Sequence, residues 1–372
     1  MTFRPLAVSV VLFVAVAALA QTSVSIGYDY APITFPGARV TNTAGINNSN
    51  VIVGSYLDSQ DMQHGFVYSG GKYTSLNFPG ATATQALGIN DNGDIVGMYQ
   101  FAGNLNFHGF LKHGSDFTSI DDPSAQIGTI AFGINKNGTI VGSYDNAHGF
   151  VYQNGNFSTL DAPQLSGESH QTQLNGISAL GSIVGQVFTG GIWRAFWIEN
   201  GKLRYVEPAG STDSEATGIN SETDIVGCHD SAAGFASFLA GNYPSSAATF
   251  PPEQPVVSCA SGINFARAIV GSYSSLSNSN GFLGVPALTL TVTSPTTHSF
   301  SSNSVRVTAN ASGNNPVAHI QVWLNFKQIY SAKGGSLDTN LTLPAGSNQR
   351  FVVQAVDTKG VVAKVVKMIS VQ

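Results

Sequence analysis

The sequence predicts an all-β chain, and three observations carry that prediction. Glycine supplies 41 of the 372 residues alongside a 42% hydrophobic content, so turn formers and core formers are abundant together. The apolar runs are short, rich in Val, Ile, Phe and Tyr, and bounded by Gly, Asn, Asp and Pro, which is the grammar of strands rather than helices. One set of four such runs also recurs six times, at intervals of 42 to 45 residues.

The first run is Gly-Ile-Asn, at Gly45, Gly88, Gly133, Gly218 and Gly262, with Gly176-Ile177-Ser178 as the sixth copy. Ile-Val-Gly follows each, starting at Ile52, Ile95, Ile140, Ile183, Ile225 and Ile269. The third run is His-Gly-Phe at His64, His108 and His148, altered to Arg194-Ala195-Phe196, Ala233-Gly234-Phe235 and Asn280-Gly281-Phe282. The fourth leads from an aromatic residue to proline, as from Tyr73 to Pro79, Phe117 to Pro123 and Phe157 to Pro163. Asn-Gly pairs at Asn92-Gly93, Asn137-Gly138 and Asn154-Gly155 mark hairpins between neighbouring runs. Four antiparallel strands per repeat, six times over, predict a six-bladed β-propeller across residues 21–285. The sixth repeat lacks its fourth strand, and Tyr30 to Ala38 closely matches Tyr73 to Ala81, so the N-terminal strand is expected to complete that blade and close the ring.

On these motifs the chain resembles the HAF-type extracellular repeat of bacterial secreted proteins, best in Trp193-Arg194-Ala195-Phe196-Trp197 with Gly201 and Leu203 following. The resemblance covers about residues 28–285. It implies export and a propeller-like array, and it transfers no reaction to any residue.

From Pro286 the period stops. Alternating runs at Leu288–Val292, Ser304–Ala309, His319–Leu324, Leu337–Leu343, Phe351–Val356 and Val361–Ile369 predict an Ig-like β-sandwich over residues 286–372. This segment resembles the Ig-like modules appended to bacterial exported proteins, with Trp323 as its expected core anchor and a spacing or adhesive role. At the other end, Arg4, an apolar run from Leu6 and Ala18-Leu19-Ala20 before Gln21 read as a signal peptide, residues 1–20. No later run is long enough to span a membrane, so the mature chain is expected to be extracellular or periplasmic and monomeric. Cys228 ends the second strand of the fifth repeat and Cys259 begins the first strand of the sixth, so a propeller places them on neighbouring blades at one face and predicts a disulfide.

Only 10% of residues are charged and the net charge is −5, which excludes a polybasic nucleic-acid binder and a disordered tail protein. The connections between second and third strands lie on the face where propellers take ligands. Tyr56, Tyr99, Tyr144, Tyr273 and His229 end second strands there and form a candidate aromatic ring for sugars or peptides. His64, His108 and His148 fall at equivalent places, but six-fold geometry sets them roughly 17 Å apart, too far to share a metal, so they are expected to bond the backbone within their blades. Asp91, Asn92 and Asp94 lack the downstream glutamate of a calcium loop and read as a turn. Candidate acids before the later blades are Glu168, Asp213, Glu215 and Glu253. No catalytic elbow, metal-spaced cluster or phosphate loop is present, and no cofactor is expected. The leading reading is a secreted, non-enzymatic binding or surface-interaction protein whose partner is a polysaccharide or a cell-surface protein. The alternative is an exported polysaccharide hydrolase or lyase using those loop carboxylates.

Overall fold

The computed structural model describes residues 22–103, 106–162, 171–231, 234–240, 246–247, 257–274, 279–296, 298–360 and 362–372. The expected leader and the candidates Glu168 and Glu253 lie outside these. The described residues are strands and turns throughout, and no helix is long and apolar enough to cross a membrane. The chain divides into two compact units, residues 28–285 and residues 286–372, the latter taken with the N-terminal residues through Gly27.

In the first unit, strand β1 (Thr22–Ile33) precedes a series of antiparallel sheets. Sheet one holds β2 (Val40–Ile46), β3 (Ile52–Leu57), β4 (Gln63–Ser69) and β5 (Lys72–Leu76). Sheet two holds β6 (Ala83–Ile89), β7 (Ile95–Gln100), β8 (His108–His113) and β9 (Asp116–Ile120). Sheet three holds β10 (Thr129–Ile134), β11 (Ile140–Tyr144), β12 (His148–Gln153) and β13 (Asn156–Thr159). Sheet four holds β14 (Gln171–Ile177), β15 (Ile183–Thr189), β16 (Ile192–Glu199) and β17 (Lys202–Tyr205). Sheet five holds β18 (Ser211–Ile219), β19 (Ile225–Ser231), β20 (Ala236–Ala240) and β21 (Ser246–Ala247). Sheet six joins β22 (Val257–Ile263), β23 (Ile269–Ser274) and β24 (Ser279–Ser294), and β1 pairs with β24 as its outer strand.

The first strand of each sheet packs on the first strand of the next, and the series returns from β22 to β2. Four-stranded sheets stacked in this way around their first strands form a β-propeller arrangement. Its core lies between sheets, where Phe66, Phe110, Phe150, Phe196, Phe238 and Phe282 from the third strands are fully buried; in sheet five Phe238, not the expected Phe235, takes this place opposite Gly227. A bulge recurs in every first strand just before Gly-Ile-Asn. It explains the invariant glycine of Ile-Val-Gly: a Cβ on Gly97 would stand 1.9 Å from the Gln85 carbonyl oxygen and 2.8 Å from the Phe110 ring.

The second unit pairs β24, from residue 286 onward, with β26 (Ser304–Gly313) and β29 (Ser336–Thr342) in one sheet. The other sheet has the order β25 (Ser299–Phe300), β31 (Val362–Val371), β30 (Gly346–Asp357), β27 (Val317–Leu324), β28 (Lys327–Lys333). Leu290, Val307, Ile320, Val322, Val353 and Val365 meet in a single core shared by both sheets. Trp323 corrects the expectation of a core anchor. It alternates with the buried Val322 and Leu324, so its ring stands on the opposite, outer face of β27. Strand β28 was not legible from turn signals, because its hairpin turns through Asn325 (φ 47°) and Phe326 (φ 70°), and phenylalanine rarely adopts that region.

Candidate functional site

The propeller axis has two unlike ends. At the end where first strands turn into second strands, the asparagine of Gly-Ile-Asn does two jobs. Asn47 Oδ1 accepts the amides of Ser49 and Val51, both at 3.0 Å, and so shapes its own turn. Its Nδ2 donates to the carbonyl of Asn90 at 3.0 Å, in the next sheet. Asn90 repeats this toward Asn135 at 3.0 Å, Asn220 toward Asn264 at 3.0 Å, and Asn264 toward Asn47 at 3.2 Å. A buried bidentate pair adds to the fifth and sixth sheets, with Arg267 Nε 2.7 Å from Asp224 Oδ2. Ile46, Ile89, Ile134, Ile177, Ile219 and Ile263 constrict the axis behind this ring, leaving a space of about 80 Å³.

Toward the other end the axis widens into a cavity of about 180 Å³. Its wall comes from the positions one and three residues before each conserved glycine, and these positions do not repeat. Sheets one to three present Ala44, Leu87 and Phe132, whereas sheets four to six present Gln173, Asn175, Glu215, Thr217 and Ser261. One wall is therefore apolar and the opposite wall carries amides, hydroxyls and a carboxyl group. Asn175, Thr217 and Ser261 also donate to carbonyls of the next sheet, at Ala216, Ala260 and Thr43. Gln173 Oε1 accepts Gln186 Nε2 at 2.8 Å.

Glu215 sits where β18 meets β19, directly opposite Cys228. Cys228 and Cys259 form a disulfide that joins sheets five and six. The Glu215 Oε1 atom lies 2.8 Å from Cys228 Sγ and 3.5 Å from Cys259 Sγ. These three groups lie close enough to hold a metal ion. With the sulfurs bonded to each other they offer no thiolate, so the oxidised set is not a metal centre. Glu215 keeps part of its surface on the cavity, yet the dense packing around its carboxyl pushes its pKa above the usual carboxylate range. A second cavity of about 280 Å³ adjoins the same residue, lined by Gln186, Trp193, Asp213, Ser214, Cys228 and Phe235. The Asp213 carboxylate there accepts the Trp193 backbone amide at 2.7 Å. Two of the four candidate acids thus share one cavity. Gln173, Gln186 and Trp193 were not among the candidate site residues; Trp193 entered only as part of the repeat motif, and Gln173 has a counterpart in Gln85.

The candidate aromatic ring is corrected. Tyr56, Tyr99 and Tyr144 are buried between sheets. The Tyr99 ring stacks on Phe78 with centroids 3.6 Å apart and on His108 at 5.2 Å, and its hydroxyl meets Ser119 Oγ at 2.6 Å. Tyr56 is held the same way by Phe35, His64 and Ser75. Both faces of the Tyr56 and Tyr99 rings are covered, so no ligand can stack there, and the buried Tyr144 ring stacks on His148. His229 is also buried; its Nδ1 lies 3.1 Å from Ser211 Oγ, and burial lowers its pKa. Tyr273 is half-buried against the core of sheet six.

The three repeated histidines bond side chains rather than backbone. His64 reaches Asn77, His108 reaches Asp121 and His148 reaches Asp161, each 13 residues on. In sheet four the same link is Arg194 bidentate to Glu207, at 2.9 and 2.7 Å. Asp91 accepts the Asn48 amide and side chain, and Asp94 is held by Asn90 and His113, which makes both carboxylates turn partners.

No protein-family model and no curated protein matches this sequence. Among solved structures, the chain is similar to a gluconolactonase from Xanthomonas campestris at 11% identity, covering 71% of this chain and 97% of that one, with a TM-score of 0.39. It is similar to AofleA from Arthrobotrys oligospora at 9% identity, over 88% and 94% of the two chains, with a TM-score of 0.42. It is also similar to the Trypanosoma rangeli sialidase solved with sialic acid, at 7% identity over 95% and 92%, with a TM-score of 0.38.

Proposed function

We propose that this is an exported HAF-type repeat protein, a six-bladed propeller followed by an Ig-like sandwich, that binds a polar ligand of sugar type in the wide end of its axis. The observation that carries this reading is the broken symmetry of the cavity wall, with Leu87 and Phe132 on one side and Gln173, Asn175 and Glu215 on the other. A saccharide offers the matching surface, since its ring has an apolar C–H face and a rim of hydroxyls that amides and a carboxyl group can bond. Burial shifts the Glu215 carboxyl toward its protonated form relative to an exposed carboxylate. Keeping an ionisable group in that environment works against stability, which is the signature of a functional position.

A second reading, an exported glycan hydrolase, is favoured by one observation: Asp213 and Glu215 line the same cavity. A carboxylic acid beside a carboxylate is the minimal equipment for glycosidic cleavage. One experiment separates the two. The mature chain and its Glu215→Gln and Trp193→Ala variants are screened on a panel of neutral oligosaccharides, measuring both retention and release of reducing ends. Retention without release, weakened in either variant, supports binding. Release abolished by Glu215→Gln transfers the assignment to hydrolysis. Retention that neither substitution alters removes the axial cavity from both readings.

A further inference from the structure

The second unit carries a charge opposite to that of the chain as a whole. Residues 286–372 contain seven Lys and Arg against two Asp, a balance of +5 within a chain of net −5. Both aspartates are engaged away from the outer face of the β25-β31-β30-β27-β28 sheet. Asp338 lies on the other sheet, bidentate to Arg306 at 2.8 and 3.0 Å, and the buried Asp357 accepts Asn315 Nδ2 and the Lys359 amide. Strand alternation sends Val322, Val353 and Val365 into the core and leaves Trp323, Val352 and Val366 on the outer face. The same parity places Arg350 and Lys364 there, with Lys333 at the exposed end of β28. Among the described residues this face holds no carboxylate.

The cations border a groove of about 200 Å³ lined by Trp323, Phe326, Arg350, Val352, Gln354 and Lys364. Two features of the groove point to a ligand. The Trp323 indole Nε1 is buried and has no hydrogen-bond partner, a donor shielded from water and left unsatisfied. Phe326 is 76% exposed at a hairpin tip with φ 70°, under the Arg350 guanidinium 4.7 Å from its ring centroid. A bulky residue held at positive φ and in solvent costs stability twice over, and such positions concentrate where ligands are clamped.

We propose that this groove binds an acidic polysaccharide, a chain of sugars that carry carboxylates. The half-buried indole of Trp323 offers the groove an apolar surface that fits the apolar face of a sugar ring. Arg350 and Lys364 pair with its carboxylates, Arg350 by its planar fork. A single recessed indole beside an amide pair, Gln354 bonded to Gln321 at 2.6 Å, suits a pyranose ring better than the successive exposed platforms on which nucleic-acid bases stack.

The test uses the full mature chain in affinity gels containing polygalacturonate or neutral dextran, with tryptophan fluorescence as a second readout. Retardation by polygalacturonate but not dextran, falling as salt is raised, is the expected result. The double variant Arg350→Gln/Lys364→Gln, at a half-buried and an exposed position and with an unchanged thermal midpoint, should weaken binding by roughly tenfold or more. Trp323→Phe should also weaken it and remove the ligand-induced fluorescence change. Glu215→Gln should leave this retardation intact, which separates the outcome from that of the axial cavity. The proposal is overturned if the wild type is not retarded, if the folded double variant is retarded equally, or if a DNA oligonucleotide or phosphatidylserine vesicles bind more tightly than polygalacturonate.

Discussion

At its turn end the propeller axis largely repeats itself, with isoleucine in every sheet and asparagine linked to asparagine at four of the six junctions, while the position before the glycine at the wide end reads Ala44, Leu87, Phe132, Asn175, Thr217 and Ser261. The difference has a physical cause. Near the turns the strands converge, and each position must satisfy a backbone group of its neighbour, so one residue type recurs. A few residues along, the strands have diverged enough to leave a cavity, and apolar Ala44, Leu87 and Phe132 serve there as well as Asn175, Thr217 and Ser261, which bond the next sheet. Variation within the repeat therefore marks the part of the axis that ring closure constrains least.

The comparison can be broken or sharpened by substitution. The largest effect is expected from Gly97→Ala, where a Cβ 1.9 Å from a carbonyl oxygen cannot be accommodated. It should cost more than about 4 kcal/mol, the range of severe core disruption, and be read as loss of a cooperative denaturant transition. Replacing Cys228 and Cys259 together by Ser opens a loop of sequence separation 31 and should lower stability by about 3.5 kcal/mol in the chain-entropy model. An unchanged urea midpoint in that variant would show that the contacts of Asn220, Arg267 and Thr217 hold sheets five and six together without the crosslink.

Asn90→Ala removes the donor to Asn135 and the acceptor of two turn amides, and should cost about 2 kcal/mol. Glu215→Gln, at the wide end, should act in the other direction. Burial raises the folded-state pKa of Glu215, so its stabilising contribution is full below the unfolded value of 4.5 and is lost as pH rises through the folded value. The variant should therefore melt above the wild type at pH 8, with the two curves converging as pH approaches about 4. A variant that melts below the wild type at pH 8 would make Glu215 a structural residue and dissolve the contrast between the two ends. The smallest effect is expected from Tyr99→Phe, which loses one hydroxyl bond to Ser119 while both ring stacks remain. Its cost should be about 1 kcal/mol by thermal melting, with no change in ligand retention.

The fold was more legible than the site. Gly-Ile-Asn, Ile-Val-Gly and His-Gly-Phe mark β6, β7 and β8 because turn residues and β-branched runs act over a few neighbours. The Cys228–Cys259 bond was legible as well, since the repeat itself placed both residues on adjoining strands. The outward side of Trp323 was also within reach, because Ile320, Val322 and Leu324 share the other parity of its strand. Its size, rather than its alternation, suggested the core. Strand β28 was hidden by a turn made with Phe326, and the tyrosine ring was misplaced because an exposed strand end and a seam between sheets look alike in one dimension.

By itself the sequence determined the period, the crosslink and most of the strands, which follow from local backbone preference and a regular count. Only the tertiary structure decided what each side chain meets. Phe78 closes over Tyr99, Glu215 comes to rest against a disulfide 13 and 44 residues away, and Trp323 faces a basic groove instead of a core. These are encounters between residues distant in the chain, set by how twisted sheets stack, and no window of sequence contains both partners.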